Sequence, residues 1–198
     1  VLAGDEKHTS GTLKVAGKVA RFSSPYKALK AGICCIPTER RVEGQVGIAT
    51  IRENISYACM DKLCCNVLIS KTKDVELACR WIDDLKIKCV GSEQPIENLS
   101  GGNAQKVVFA RVLSSNADVI ILNHPTRGID VGAKEEIYEI IRSATARGIG
   151  IILLGDTLDE CIGLSNKILV MKDGLVTKVF DAEPDSKPNQ LDIIQHMM

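Results

Sequence analysis

Two hydrophobic periods run along the chain, one typical of strands and the other of helices. Continuous apolar runs predict strands over Ala31 to Ile36, Val119 to Leu122 and Ile149 to Leu154. The second run is typical of a parallel strand covered on both faces, and the third is predicted to be another buried strand. Apolar residues spaced three and four apart predict helices over Ile51 to Ile87 and Lys134 to Ala146. Strand, helix and strand in this order predict a right-handed parallel crossover within an α/β fold.

Alternation of apolar and charged residues predicts two hairpins. The second turns at Asp173-Gly174 within Lys167 to Phe180, and the tail from Gln190 to Met198 is predicted to form a short closing helix. In the first hairpin, which turns at Ala16-Gly17, the alternating residues are Leu13, Val15 and Val19 against Lys14 and Lys18.

Candidate chemistry lies in the stretch Glu97 to Lys134, ENLSGGNAQKVVFARVLSSNADVIILNHPTRGIDVGAK. Ser100 is predicted to cap a helix with its side chain. Gly101 and Gly102 carry no Cβ, so their amides can approach an anion at the positive end of the helix dipole. Residues just past Leu122 would lie at the carboxyl edge of the sheet, where open α/β sheets bind ligands.

Composition narrows the classes of function. The 198 residues suffice for one domain with its own core, and the net charge is zero, so no nucleic-acid partner is expected. Apolar residues make up 45% of the chain, yet no run reaches the roughly 20 residues that span a bilayer. The eight cysteines lack metal-ligand spacing and are expected to be reduced thiols. Without a signal-peptide pattern, the cytoplasm is the expected compartment.

The motifs LSGGNAQKV and PTRGIDVGAK, separated by the apolar run Val119 to Leu122, resemble the signature motif, Walker B strand and D-loop of ABC-transporter ATPase domains. In particular, they are similar to the second ATPase domain of tandem monosaccharide importers of the ribose, galactose and xylose type. The resemblance covers essentially all of the chain. It implies a P-loop NTPase fold of the ABC type, in which a mostly parallel sheet is flanked by helices and hairpins. Residues 1–198 would form a single domain, in which about 50–95 is a helical subdomain with a permease-docking face and Trp81 as its core anchor.

The phosphate-binding loop of that family has no match in this sequence. Between Gly11 and Gly17-Lys18 stand five residues where the P-loop has four, and Val19 follows where Ser or Thr is needed. The chain is therefore expected to begin just after the first strand and the P-loop. The Walker B strand is expected to lose a neighbour and to leave an apolar edge.

The resemblance also assigns roles to single residues. It implies nucleotide binding by the signature residues and a D-loop at Gly128, Ile129 and Asp130, and it places Thr38 at the Q-loop position that links the nucleotide to the membrane partner. The signature residues are Leu99, Ser100, Gly101, Gly102, Asn103 and Gln105. In the ABC pair, one domain's signature motif contacts the nucleotide on the other domain's P-loop.

The catalytic positions of this family are altered. Asn123-His124 stand where the resemblance implies Asp-Glu, and Asp156 stands at the switch position. Asparagine lacks the charge that a hard cation favours, and an aspartate near a γ-phosphate would repel it. We therefore expect no intact metal site and a loss of cis hydrolysis, whereas ATP and Mg²⁺ are expected in the complete assembly.

The partners that the resemblance implies are a second ABC ATPase domain in a head-to-tail pair, membrane permease subunits and, indirectly, a sugar-binding protein. The chain would then lie at the inner face of the cell membrane. Two alternatives stay open at this stage. One is a truncated, non-catalytic domain with only a structural role, and the other is an ABC protein of translation or repair.

Overall fold

A computed structural model describes residues 1–65 and 68–198 of the chain. Within these residues the strands and helices, in chain order, are β1 Leu13–Val15, β2 Lys18–Ala20, α1 Pro25–Lys30, β3 Ile33–Ile36, α2 Ile51–Ser56, α3 Met60–Leu63, β4 Cys64–Cys65, β5 Leu68–Ile69, α4 Lys71–Asp84, α5 Gly101–Ser114, β6 Val119–Asn123, α6 Val131–Ala146, β7 Gly150–Leu154, α7 Leu158–Leu164, β8 Lys167–Lys172, β9 Leu175–Asp181 and α8 Gln190–Gln195.

The central sheet is parallel and has the order β3-β6-β7. Ile120 pairs with Cys34 on one side and with Ile151 on the other. The three apolar runs therefore form the predicted strands, and α6 connects β6 to β7 as the crossover requires. All three strands point the same way, so the residues that follow them gather at one carboxyl edge.

Two predictions about the sheet edge are wrong. Strand β7 is not buried on both faces, because Ile152 and Leu154 are 41% and 46% exposed. The strands without a second neighbour in this described sheet are β3 and β7, whereas β6, the expected Walker B strand, is paired on both sides. A short apolar run has no periodicity that distinguishes a central strand from an edge strand, which is why the sequence misled here.

Both predicted hairpins form. Ala16 and Gly17 adopt φ of 47° and 77°, and Asp173 and Gly174 adopt 49° and 79°, the left-handed pair that a tight hairpin turn requires. In the first hairpin, the prediction that Val19 shares the apolar face of Leu13 and Val15 is wrong. The register pairs Val19 with Lys14, and Val19 is 65% exposed, so it lies opposite the apolar side.

The segment predicted as helical between Ile51 and Ile87 contains α2, α3 and α4, but it is interrupted by the short antiparallel hairpin β4–β5. Residues 66 and 67 of that segment lie outside the described residues. Trp81 is 4% exposed, in agreement with its predicted place in the core. Helix α2 packs against α4 and α5 and so joins this segment to the rest of the chain.

Helix α5 lies at the centre of the main hydrophobic core. Val107, Val108, Phe109 and Ala110 are all buried, and the core continues into β6 and α6. Because α5 is covered along most of its length, its exposed N-cap residue Ser100 is the part most available to other molecules. Among the described helices, none is long and apolar enough to cross a membrane.

Candidate functional site

The start of α5 carries the serine and the two glycines singled out in the sequence, of which Ser100 is exposed, Gly101 half-buried and Gly102 buried. Ser100 is the N-cap residue, but its side chain makes no capping hydrogen bond, so that detail of the prediction is wrong. Its hydroxyl instead accepts a hydrogen bond of 2.9 Å from the Asn103 amide, whose oxygen accepts from the Lys88 N–H. The side-chain amide of Asn103 thus holds the Ser100 hydroxyl in place, and Leu99 just before it is half-buried against the core.

The two glycines serve different contacts. A Cβ on Gly101 would stand 3.3 Å from Nη2 of Arg40 and 3.4 Å from the carbonyl oxygen of Gly128. A Cβ on Gly102 would stand 2.7 Å from the Cβ of Ala133, which real side chains do not tolerate. Gly101 therefore lies between two neighbouring groups, and Gly102 permits close packing of α5 on α6.

The turn before α6 completes this surface. Gly128 has φ of 68°, Ile129 is buried, and the Asp130 carboxylate accepts a hydrogen bond of 2.9 Å from the Ala133 N–H. This cap explains why α6 begins at Val131, three residues before the predicted start. We call Ser100–Gly102 and Gly128–Asp130 the paired turns, because they lie side by side: a Cβ on Gly101 would stand 3.4 Å from the Gly128 carbonyl oxygen, and a Cβ on Gly102 would stand 3.8 Å from Cγ2 of Ile129.

Gln105, one of the predicted nucleotide-binding residues, lies beneath the paired turns and not on them. It is 2% exposed, and its Oε1 accepts a hydrogen bond of 3.2 Å from Nη1 of Arg40. Burial lowers the pKa of Arg40, but a guanidinium keeps its charge at neutral pH. The sequence analysis missed Arg40, although an arginine pair just past the strand end Ile36 was a visible signal. Thr38, which was predicted to stand at the Q-loop position, lies between Ile36 and Arg40 in the sequence and is half-buried.

The predicted catalytic positions meet at the carboxyl ends of β6 and β7. The His124 N–H donates to the Leu154 carbonyl over 2.8 Å, and His124 adopts a left-handed φ of 50°. Its Nδ1 lies 3.0 Å from Oδ1 of Asp156, an ion-pair distance without the alignment of a hydrogen bond. Asn123, the last residue of β6, is half-buried beside them.

A buried carboxylate supports this pair, and the sequence analysis missed it. The Thr126 hydroxyl donates to Glu160 Oε1 over 3.0 Å, and the Asp156 N–H donates to Glu160 Oε2 over 2.9 Å. Glu160 is buried and also receives the cap of α7, since its own N–H donates to the Thr157 hydroxyl. The Thr-x-x-Glu spacing at the start of α7 is the signal that could have found it.

These residues do not fit a magnesium site. Mg²⁺ prefers oxygen ligands, with carboxylates foremost, whereas the end of β6 offers an amide and an imidazole. Of the two carboxylates described near them, Asp156 contacts His124, and Glu160 accepts hydrogen bonds from Thr126 and from the Asp156 N–H. Within residues 1–65 and 68–198, no three His, Cys, Asp or Glu side chains gather as a metal-binding group.

Comparisons with known proteins agree with the fold and with the motifs. The model of the family described as "ABC transporter" matches residues 1–127. The arabinose import ATP-binding protein AraG of Yersinia pestis is 39% identical over 183 residues, which are 92% of this chain and 35% of that protein. The protein AraG 2 of Burkholderia ambifaria is 40% identical over 177 residues, 89% of this chain and 34% of that protein. The chain thus spans about a third of the length of these relatives.

Solved structures are similar in fold. The ATP-binding cassette MJ1267 gives a TM-score of 0.79 at 20% identity, with 99% of this chain and 80% of that chain covered. The dimeric post-hydrolysis state of the cassette MJ0796, bound to ADP and Pi, gives 0.74 at 18% identity, with 90% and 76% covered. These similarities establish an α/β ABC ATPase fold, with a parallel sheet flanked by helices.

Proposed function

The chain belongs to the ABC transporter family, and on that premise we propose that it acts as an ATP-binding part of a monosaccharide importer. In this role it supplies the paired turns in trans to a nucleotide held by the P-loop of a second ABC ATPase domain. Ser100 and the amides of the first turn of α5 then contact the γ-phosphate of that nucleotide. The partner's bound ATP brings Mg²⁺ with it.

The observation that carries the proposal is that the paired turns lie side by side. Ser100 and Gly128 are exposed, and Gly101 lies against the Gly128 carbonyl, so both turns present one surface. The positive end of the α5 dipole lies at this surface, which favours a phosphate there. The cassette MJ0796 forms a dimer bound to ADP and Pi, and this supports an arrangement of two cassettes around a nucleotide.

Hydrolysis in cis is proposed to be lost. A phosphoryl-transfer site of this class needs an acidic residue for the hydrated metal and a group that positions the attacking water. Here the end of β6 carries Asn123, and His124 is paired with Asp156. The proposed division is that the partner domain hydrolyses ATP while this chain completes its site.

The substrate class follows from the named relatives. AraG proteins of two organisms are described as arabinose import ATP-binding proteins, which favours a monosaccharide as cargo. We propose that the chain lies in the cytoplasm against the inner face of the membrane, with residues 1–198 as one domain and a sugar-binding protein as an indirect partner. The subdomain of about 50–95 would dock on the permease, and its exposed apolar residues Leu68 and Val90 suit such a contact.

Association with a P-loop-bearing ABC domain tests the proposal. In the presence of ATP and Mg²⁺, Ser100→Arg should weaken association by at least about tenfold, because a bulky cation blocks the turn, and this corresponds to about 1.4 kcal/mol. Ser143→Arg is the matched control, since Ser143 is exposed on α6 roughly 18 Å along the helix axis from Val131. Equal affinities for Ser100→Arg and the wild type would contradict the trans role. Association that needs no nucleotide would favour a purely structural role.

A further inference from the structure

The turn after β3 aims one arginine at the paired turns. Residues Arg40–Gly44 form a π-helical turn, a rare conformation that is frequent at functional sites. A Cβ on Gly44 would stand 3.5 Å from the Cγ atoms of Arg40 and Pro37. The aliphatic part of Arg40 is therefore packed against its own turn, which directs the guanidinium outward from it.

The guanidinium reaches the first turn of α5. Its Nη1 donates to Oε1 of the buried Gln105 over 3.2 Å, and its Nη2 is the group that stands 3.3 Å from a Cβ on Gly101. A buried carbonyl that loses its donor is costly, so Gln105 depends on this contact. Arg40 thus holds the first turn of α5, close to the carbonyl of Gly128.

The guanidinium of Arg40 also brings a positive charge to the start of α5. Across residues 1–65 and 68–198, Arg40 forms no ion pair, and the acceptor that it contacts is the neutral amide of Gln105. Its Nε is buried without a hydrogen-bond partner. The positive charge is therefore not neutralised beside the positive end of the α5 dipole.

The residue before this π-helical turn also contacts the residue before the second of the paired turns. Glu39 Oε1 lies 3.9 Å from Nη1 of Arg127, the residue before Gly128. Both side chains are well exposed, so this ion pair is weak and Arg40 is the stronger of the two connections. The segment after β3 thus contacts the first of the paired turns through Arg40 and the residue before the second through Glu39.

We propose that Arg40 is a positioning residue, which fixes the first turn of α5 through Gln105 and thereby sets the geometry of Ser100 and Gly101 toward the partner's nucleotide. The consequence for nucleotide contact rests on the proposed function. The positioning itself is a property of this chain and is testable without a partner.

Amide hydrogen exchange on the chain tests the positioning. Arg40→Met keeps the aliphatic packing but removes every donor, and Arg41→Met removes the exposed neighbouring arginine as a matched control. The N–H groups of Ala104 and Gln105, the first of which bonds to Ser100 O, should exchange about tenfold faster in Arg40→Met only. Amides of α6 should keep their protection in both variants. Unchanged exchange at Ala104 and Gln105 would overturn the inference.

A double-mutant cycle tests the route through Gln105. With the partner domain, ATP and Mg²⁺, Arg40→Met and Gln105→Leu should each weaken association about tenfold, and the double variant should be no weaker than either. Additive losses would overturn a route through Gln105. If Arg40→Met does not fold, Arg40→Lys, which keeps the charge but loses the planar fork, takes its place with a smaller loss of the same pattern.

The two proposals fail in different ways. If wild-type chain does not associate with any P-loop domain, the proposed function fails, whereas the exchange result still decides the role of Arg40. If association depends on Ser100 but the amides of Ala104 and Gln105 exchange at the same rate in Arg40→Met and the wild type, the trans role stands and the positioning role is wrong.

Discussion

At the start of α5, Gly102 faces Ala133 of α6 across a contact that leaves no room for a side chain. A Cβ at this position would lie 2.7 Å from that of Ala133 and 3.8 Å from Cγ2 of Ile129. The second glycine of the signature turn is therefore required by helix packing, whatever it also offers to a phosphate. The packing fixes how far the paired turns stand apart.

Gly102→Ala should lower the free energy of unfolding by about 1–3 kcal/mol, because the extra methyl overpacks the contact between α5 and α6. Gly163→Ala is the matched control within α7, since a Cβ there meets nothing within 4 Å. It should leave stability unchanged or raise it by up to about 1 kcal/mol. Urea denaturation of both variants measures the difference. A Gly102→Ala chain as stable as Gly163→Ala would contradict this packing.

At the scale of residues, sequence reasoning found the positions whose spacing is local. Ser100 and Gly101 lie in one short motif, and the Asn123-His124 pair directly precedes a second. It missed Arg40 and Glu160, since their partners Gln105 and Thr126 lie 65 and 34 residues away along the chain. Contacts of that separation follow from the order of strands in the sheet, which no local pattern prescribes.

At the scale of elements, the start of α2 depends on a reciprocal cap. The Glu53 N–H donates to the Thr50 hydroxyl over 3.1 Å, and the Thr50 N–H donates to the Glu53 carboxylate over 2.9 Å. The Thr50 backbone N–H holds the pKa of the Glu53 carboxyl below its usual value. Because α2 packs on α4 and α5, the cap also fixes the helical segment to the core.

Thr50→Ala should lower the free energy of unfolding by about 1 kcal/mol through loss of this cap, whereas Thr72→Ala, an exposed position in α4, should change it by less than about 0.5 kcal/mol. Thermal unfolding at neutral pH gives the comparison. Equal losses in both variants would show that the cap contributes nothing.

The cap also predicts a dependence on pH. Since the pKa of Glu53 is lower in the folded chain than in the unfolded one, its stabilising effect is present above the unfolded pKa and is lost as pH falls through the folded pKa. The stability difference between the wild type and Glu53→Gln should therefore be seen at pH 7 and disappear in acid. A difference that is the same at both pH values would contradict it.

Elements with a strong local signal were predictable, and elements defined by their neighbours were not. The turns at Ala16-Gly17 and Asp173-Gly174 require left-handed residues, so both hairpins could be placed from sequence. The hairpin β4–β5 was missed because two residues per strand are too few to show a period. The exposure of β7 was missed because its neighbours, and not its own residues, decide which face is covered.

At the scale of the whole molecule, the paired turns and the carboxyl ends of β6 and β7 have different roles in the proposed assembly. Within the paired turns Ser100, Gly128 and Asp130 are exposed, and both Arg40 and α6 pack against the first turn of α5. At the strand ends, His124 and Asp156 contact each other, and Glu160 bonds to Asp156 and Thr126. In the proposed function, the paired turns complete a partner's nucleotide site, and the strand ends of this chain do not hydrolyse ATP.

The most direct test of this account is complementation of ATP hydrolysis. A P-loop-bearing ABC domain whose own signature serine is replaced by arginine is mixed with this chain, with ATP and Mg²⁺, and phosphate release is measured. We predict that the wild-type chain restores hydrolysis, that Ser100→Arg does not, and that the chain alone releases no phosphate. Restoration by Ser100→Arg, or hydrolysis by the chain alone, would contradict the central claim.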